Sequence, residues 1–512
     1  MNAKSTMSFS PLACIFIFVL AVMLLISKDS YLHDLPNHND SAWFFMCGKA
    51  WMNGLTPYVD FADSKGPLLW LIYAIGYLLT PHSFIGVFWL SCVAWTATLW
   101  LSWRSALVYI KDNRLAFVAM LFVALAGLQP LVHNETRCED FAMPFVAYII
   151  YVICLATKCG RWNWTMGMGI GVCLAATALM KYNITMMMLP FALLAYTMAQ
   201  QQCHTSLLRS IWQTVCGALV LTIPFLAYFI DKGNLMDFIH EYLFVTLQTT
   251  SHARLKDATI SAIVSPWGLY AILLFGIGAV SMVHLMPSHK KSVLTCHILF
   301  FTMCSLNARP YYLTIYSPFI IFVGIIVVMH CKSFLLKSAP IVTSLAVALL
   351  IAISNLVIHD LRHADYGDFF TQNNAARHDF YSIESIVAEV PQARVVSFIY
   401  VVVGVCSDAL PACKYWATQT GATPQMMRQQ IEACTSGKAD FAIVPTECPE
   451  IVAEIKKAGW HIYDFSHGPY GILLMSKRWH GAQPKGCHVS NADIILKRDI
   501  INMNKSVTTK TR

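Results

Sequence analysis

The residues best placed to do chemistry in this chain are charged groups standing at the ends of long apolar runs. Asp40 and Lys65 bracket one short stretch, while Glu135, Glu139 and Asp140 crowd a second around Arg137. Lys181 interrupts an apolar run, and Arg309 precedes Tyr311 and Tyr312. An acid and a cation in one loop can take a proton from an attacking group and hold the negative charge that develops on a departing one. Each residue also has a plainer reading. Asp40 stands where a helix cap would. Lys65 could pair with Asp63 or bind lipid headgroups. Asp60 and Asp63 follow Pro57-Tyr58, which is ordinary turn chemistry. The three carboxylates around Arg137 could orient a ligand, hold a divalent cation with Asp40 through oxygen ligands, or form a solvated loop. Lys181 could snorkel to the outer surface. Arg309 and its tyrosines could anchor at an interface, although a planar guanidinium fork suits phosphate. His240, Glu241 and His252 form no recognised ligand pattern; the two histidines read as surface or packing residues, and their loop could cover an acceptor groove.

The elements that must position these groups are set by composition. Of 512 residues, 57% are hydrophobic and 12% charged, against about 25% charged in a soluble domain. Apolar runs of about 15 to 22 residues recur from Pro11 to Ile358, close to the ~20 needed to cross a bilayer as a helix. From His359 onward charges recur every few residues. This pattern predicts a mainly α chain: a polytopic helical membrane domain over 1–358, a small soluble α/β domain over 359–480, and a tail over 481–512. The net charge of +8 falls mainly in short clusters between apolar runs, with no basic stripe interleaved with aromatics, so nucleic acid is not an expected partner and membrane lipids are. The 17 cysteines show no metal-ligand spacing. Cys406/Cys413 and Cys434/Cys448 could form disulfides if the terminal domain lies outside the cytoplasm.

Topology follows from the basic clusters. Arg104/Lys111/Arg114, Lys158/Arg161, His204/Arg209, His289/Lys290/Lys291 and Lys332/Lys337 each lie between two apolar runs, and the positive-inside rule places all five in the cytoplasm. With the N-terminus inside, spans are expected over 10–27, 84–103, 115–132, 141–157, 164–180, 184–199, 210–230, 262–284, 293–307, 311–330 and 339–358, about eleven in all. The first could be a secretory signal, but no small-x-small site follows it, so an uncleaved span is expected. An odd number turns the terminal domain outward, on the same side as loops 28–83, 133–140 and 231–261. The run from Pro67 to Thr80 is short for a crossing and is expected to lie along the outer interface, with Trp70, Tyr73 and Tyr77 at headgroup depth.

The first outer loop carries Asn39-Asp40-Ser41-Ala42-Trp43-Phe44-Phe45, then Gly54-Leu55-Thr56-Pro57-Tyr58-Val59-Asp60, then Lys65-Gly66-Pro67. An Asp followed by an aromatic-rich helix, a Gly-x-x-Pro-Tyr-x-Asp turn and a Lys-x-Pro leading into an interfacial helix resembles the signature of bacterial C-fold (GT-C) membrane glycosyltransferases, the superfamily of protein O-mannosyltransferases and lipid A aminoarabinose transferases. Weaker likenesses follow at Glu135 to Asp140, at Lys181-Tyr182-Asn183 and at Arg309-Pro310-Tyr311-Tyr312. The resemblance implies an enzyme of the bacterial inner membrane that takes a sugar from a polyprenyl-phosphate carrier and gives it to an extracytoplasmic acceptor. It implies Asp40 as catalytic base with Glu135 nearby, and Lys65, Lys181, Arg309 and Tyr312 on the donor phosphate. Asp60, Asp63, Glu139 and Asp140 would then serve the acceptor or the structure. No cofactor is firmly implied.

In the terminal region Arg394 to Val403 and Ala439 to Val444 read as strands, and Phe380 to Val390, Gln425 to Cys434 and Glu450 to Ala458 as helices, with Gly471 to Lys477 closing the layer. It holds no glycine-rich phosphate loop. A transporter is the rival reading, since many spans with a few membrane-level charges also describe carriers. Against it stand the lack of repeated halves and charges gathered on one side. A polysaccharide ligase or polymerase is a second rival, but here the densest motif is early in the chain.

Overall fold

The computed structural model describes residues 10–32, 40–128, 136–247, 266–306, 312–331, 347–351, 375–399, 402–418, 423–465 and 472–481. Helices α1 (Pro11–Ile26), α2 (Asp40–Met52), α3 (Pro67–Leu79), α4 (Ile85–Ile110), α5 (Asn113–Gly127), α6 (Cys138–Cys159), α7 (Trp164–Cys203), α8 (Leu207–Asp231) and α9 (Leu235–Ile239) come first, and five strands come last. The chain divides into two compact units, one of Met1–His33, Phe88–Pro224 and Ala258–Asn355, the other of Asp34–Val87, Phe225–Asp257 and Leu356–Arg512.

The first unit is helical and apolar. By length and composition, four helices among the described residues can cross a membrane: α4, α6, α7 and α8. Pro287 divides a further pair, Ile272–Leu285 and Pro287–Cys304, which bends by 113°. The segments expected over 164–180 and 184–199 are the two helical arms of α7, which meet at a kink at Lys181, where the backbone leaves helical geometry (φ −162, ψ 99). Gly171 and Gly217 allow α7 and α8 to touch, because a Cβ on either would run into the backbone of the other helix. Such small-residue contacts are how helices associate where no water drives them together. On α8, Leu208, Trp212, Val220 and Ile223 remain exposed, the surface expected of a lipid-facing helix.

The second unit joins the first loop to the terminal sheet. Its strands are β1 (Arg394–Ser397), β2 (Leu410–Pro411), β3 (Phe441–Pro445), β4 (His461–Phe465) and β5 (Ile472–Ser476), in the order β2-β1-β3-β5-β4. The first three are parallel, and β5 runs antiparallel to both neighbours. Alternation along each strand feeds two cores: Val395, Ile443 and Leu474 pack with Ile383 and Val387 of helix Ala375–Ala388, while Val396, Ala442, Val444 and Met475 pack with Ala433, Ile451 and Ile455 of the helices on the other face. Period-2 alternation with apolar residues on both faces is what a sheet covered by helices on two sides requires. Cys413, Cys434 and Cys448 carry free thiols packed in or against that second core.

Helix α2 holds the sheet region through a charge. Lys49 is fully buried, and its Nζ donates to the carbonyls of Gly404 and of Ser407 (2.7 Å). Glu384 is also buried and accepts from the Gly404 and Val405 amides at 2.8 and 3.2 Å. Burial pushes the Lys49 ammonium down to about 8 and the Glu384 carboxyl up, while each charge favours the other. Removing Lys49 leaves the Glu384 carboxylate without its favourable charge and two buried carbonyls without their donor. Lys49→Ala is therefore expected to destabilise the docked sheet by about 3–5 kcal/mol, read as a lower unfolding midpoint in detergent. Lys49→Met combined with Glu384→Gln should recover most of that loss.

Candidate functional site

The first loop is built around Tyr58, which sits in the left-handed region (φ 65) and is fully buried. A side chain in that conformation costs about 1–2 kcal/mol, and packing supplies the offset. Its ring meets Trp70 at 4.6 Å, Phe238 at 5.2 Å and Phe229 at 5.7 Å. Asn234 ties the preceding Pro57 carbonyl at 2.9 Å. Asp60 is spent on the turn, accepting from the Thr56 amide at 2.7 Å. Asp63 Oδ1 accepts from the Ser64 amide (2.6 Å) and hydroxyl (3.2 Å), whereas Oδ2 is buried with no hydrogen-bond partner among the described residues.

Lys65 closes this turn, its carbonyl accepting from the Tyr58 hydroxyl at 3.1 Å. Its ammonium donates to Ser64 Oγ (3.1 Å) and lies 5.4 Å over the Phe44 ring. The alternative pairing with Asp63 does not form: among the described residues no carboxylate lies within ion-pair distance of Lys65 Nζ. Gly66 and Pro67 then open α3. That helix differs from expectation, since Trp70 and Tyr73 are fully buried and the exposed face is Ile75, Leu78 and Leu79. Gly48 of α2 approaches the Ala74 backbone so closely that a Cβ would come within 2.5 Å of its nitrogen. The aromatic residues fill the space that this contact creates. Asp40 opens α2 as its first residue, half-buried, where the helix dipole favours a carboxylate.

Sequence reasoning missed the most highly organised group of this unit. Glu241, part of no ligand pattern recognised in the sequence, has a side chain only 6% exposed; it pairs with Lys414 at 2.7 Å and accepts from the Tyr415 hydroxyl with both oxygens, at 3.0 and 2.9 Å. It lies in the π-helical stretch His240–Val245, a geometry that recurs at functional sites. The signal was a single carboxylate inside Phe238-Ile239-His240-Glu241-Tyr242-Leu243-Phe244, which must find a partner if it is buried. Ala62 donates from its amide to the Lys414 carbonyl at 2.9 Å, stapling the first loop to the sheet. Together Ala62, Asp63, Ser64, Glu241, Val245, Thr246, Tyr415 and Met426 line a small solvent-open cleft.

The remaining sequence-derived residues belong to the first unit. Glu139 and Asp140 are buried in the first turn of α6, not in a solvated loop. Asp140 accepts from Trp95 Nε1 at 2.9 Å and the Arg137 amide at 2.8 Å, capping the helix. Lys181, at the break in α7, donates to Glu139 Oε1 at 2.6 Å. It pairs with a buried carboxylate where snorkelling was the plain expectation, because the break aims the ammonium at α6 before it reaches the surface. Glu139→Gln and Lys181→Gln are each expected to cost about 3–5 kcal/mol, measured as heat denaturation in detergent. The exchanged pair, Glu139→Lys with Lys181→Glu, should lose less. Glu135 and Arg309 lie outside the described residues, as does the side chain of Tyr312. Among the described residues no group of three His, Cys, Asp or Glu side chains could hold a metal ion.

A sequence profile of the family described as dolichyl-phosphate-mannose-protein mannosyltransferase matches residues 64–228, a stretch that begins at the cleft and takes in Lys65, Glu139, Asp140 and Lys181. The fold is that of GT-C membrane glycosyltransferases. Within that class the chain is similar to ArnT from Cupriavidus metallidurans, solved bound to undecaprenyl phosphate, with a TM-score of 0.61 and 11% identity over 92% of this chain and 98% of that one. The apo form of the same protein aligns with a TM-score of 0.56 and 11% identity over 91% and 97%. No curated protein matches the sequence.

Proposed function

We propose that this chain is a glycosyltransferase of the bacterial inner membrane that moves a sugar from a polyprenyl-phosphate donor to an extracytoplasmic acceptor in the cell envelope. The observation that carries it is Lys65, a cation with no carboxylate partner among the described residues, held rigidly by the Tyr58 turn at the start of α3. An ammonium so placed is ready for a phosphate, which the fold's likeness to a protein solved with undecaprenyl phosphate supports. In the reaction an acceptor hydroxyl attacks the anomeric carbon while the bond from that carbon to the phosphate oxygen breaks. The proton goes to Asp40, with Glu135 assisting, and the charge on the departing polyprenyl phosphate is met by Lys65, Arg309, Tyr312 and Lys181. Glu139 and Asp140 act through structure: one holds Lys181, the other caps α6. In this reading the membrane region crosses about eleven times, and residues 28–66 and the terminal sheet face outward.

The test is turnover. Purified protein in lipid nanodiscs, given undecaprenyl-phosphate-linked sugars and envelope acceptors, should release undecaprenyl phosphate. Vesicle uptake of substrate without any release would favour a carrier instead.

A further inference from the structure

Glu241 is a buried carboxylate that the transfer step does not use. Both of its oxygens are engaged, Oε1 with Lys414 Nζ and each of the two with the Tyr415 hydroxyl, so it acts through what it holds. What it holds leads to Lys65. The carbonyl of Lys414 accepts from the Ala62 amide at 2.9 Å, three residues before Lys65. The opposite arm of the same turn is gripped by neighbours of Glu241. Asn234 donates to the Pro57 carbonyl at 2.9 Å, and the rings of Phe238 and Tyr242 stand 5.2 and 6.5 Å from that of Tyr58. Residues 234–242 therefore clamp the turn from both ends, and all of these groups belong to the second unit.

The Lys65 side chain does little to fix itself, since its ammonium meets one hydroxyl and one ring face. Its aim comes from the backbone, whose carbonyl at Lys65 is tied to the Tyr58 hydroxyl. A turn that drifts carries the ammonium with it, and a misplacement of about 1 Å costs as much as 10²-fold in rate. An ion pair shielded from water is the tether that salt and solvent weaken least; the Glu241 and Lys414 side chains are 6% and 19% exposed. We infer that Glu241 is a positioning residue for Lys65: by fixing Lys414 and Tyr415 it pins the Ala62 end of the Tyr58 turn to the terminal sheet, and so sets where the ammonium meets the lipid phosphate. The inference rests on the reading of Lys65 as the phosphate site.

The experiment compares wild type, Glu241→Gln, Lys65→Ala and the double variant as full chains in lipid nanodiscs, with bare undecaprenyl phosphate as the probe. Glutamine keeps the size of the side chain but not the charge that fixes Lys414. Glu241→Gln is expected to weaken lipid binding about tenfold, the value of one charge-assisted hydrogen bond lost between Lys65 and the phosphate. In the Lys65→Ala background the same change should weaken it less than about twofold, because the group being positioned is gone. Amide exchange at Tyr58 and Ala62 should quicken about tenfold in Glu241→Gln, while β3 and β5 stay within about twofold of wild type. Equal losses of affinity in both backgrounds, or exchange that quickens through the whole sheet, marks a merely structural residue and overturns the inference. Unchanged exchange at the turn in folded Glu241→Gln overturns it too. If that variant does not fold, Tyr415→Phe keeps the ion pair and is read by the same two measurements, with shifts of about threefold expected for one neutral hydrogen bond and no shift in either overturning the tether. Wild-type lipid affinity in Lys65→Ala is a different failure: it removes the phosphate reading itself, whatever the exchange at the turn shows.

Discussion

Asp40→Asn is expected to slow transfer by about 10²–10⁴-fold while bare undecaprenyl phosphate binds as before. The magnitude is that of losing a positioned general base. Asparagine keeps the shape of the side chain at the start of α2 but cannot take the acceptor's proton. Because a carboxylate at a helix N-terminus also steadies the helix by about 0.3–1 kcal/mol, the unfolding midpoint should fall only slightly. Single-turnover release of undecaprenyl phosphate is the measurement, with heat denaturation alongside. Undiminished turnover in a folded Asp40→Asn protein would remove Asp40 from the chemistry and leave it as a helix-opening residue.

Lys65→Ala should have the second large effect, and its signature differs. Losing one charge aimed at the developing phosphate anion costs about 10²–10³-fold in rate, and here the bare lipid should bind more weakly as well, since the cation meets the phosphate in the ground state too. Stability should change little, because the ammonium's contacts are a hydroxyl and a ring face, each worth about 1 kcal/mol. Lys65→Ala with wild-type affinity for undecaprenyl phosphate would show that the phosphate lies elsewhere. Together the two variants separate proton transfer from anion holding, which no single substitution can do.

Much of the local structure was legible in the sequence because it rests on neighbours. Gly66-Pro67 starts α3 where proline at the first helical position belongs. The Pro57-Tyr58-Val59-Asp60 turn closes with Asp60 reaching back four residues to Thr56. The strand expected over Ala439 to Val444 meets β3, and that expected over Arg394 to Val403 begins with β1. The strands β2 and β4 were not read. The first has only two residues, and the second carries exposed His461 and Asp464 on an edge position, where apolar alternation is weakest.

By itself the sequence determined the periodic, short-range features of this protein: apolar helices of membrane length, an Asp and a Lys at the two ends of one loop, and a terminal stretch of alternating strand and helix. Each depends on residues within a few positions of one another, and the physics of hydrogen bonding and hydration acts on them directly. Only the tertiary structure decided which charges are already satisfied. Lys49 finds its carbonyl 355 residues away and Glu241 finds Tyr415 174 residues away, distances over which a linear pattern carries no signal. A buried charge must be matched wherever the fold brings a partner, so it was long-range packing that engaged Lys181 and Glu241 and kept Lys65 clear of any carboxylate among the described residues.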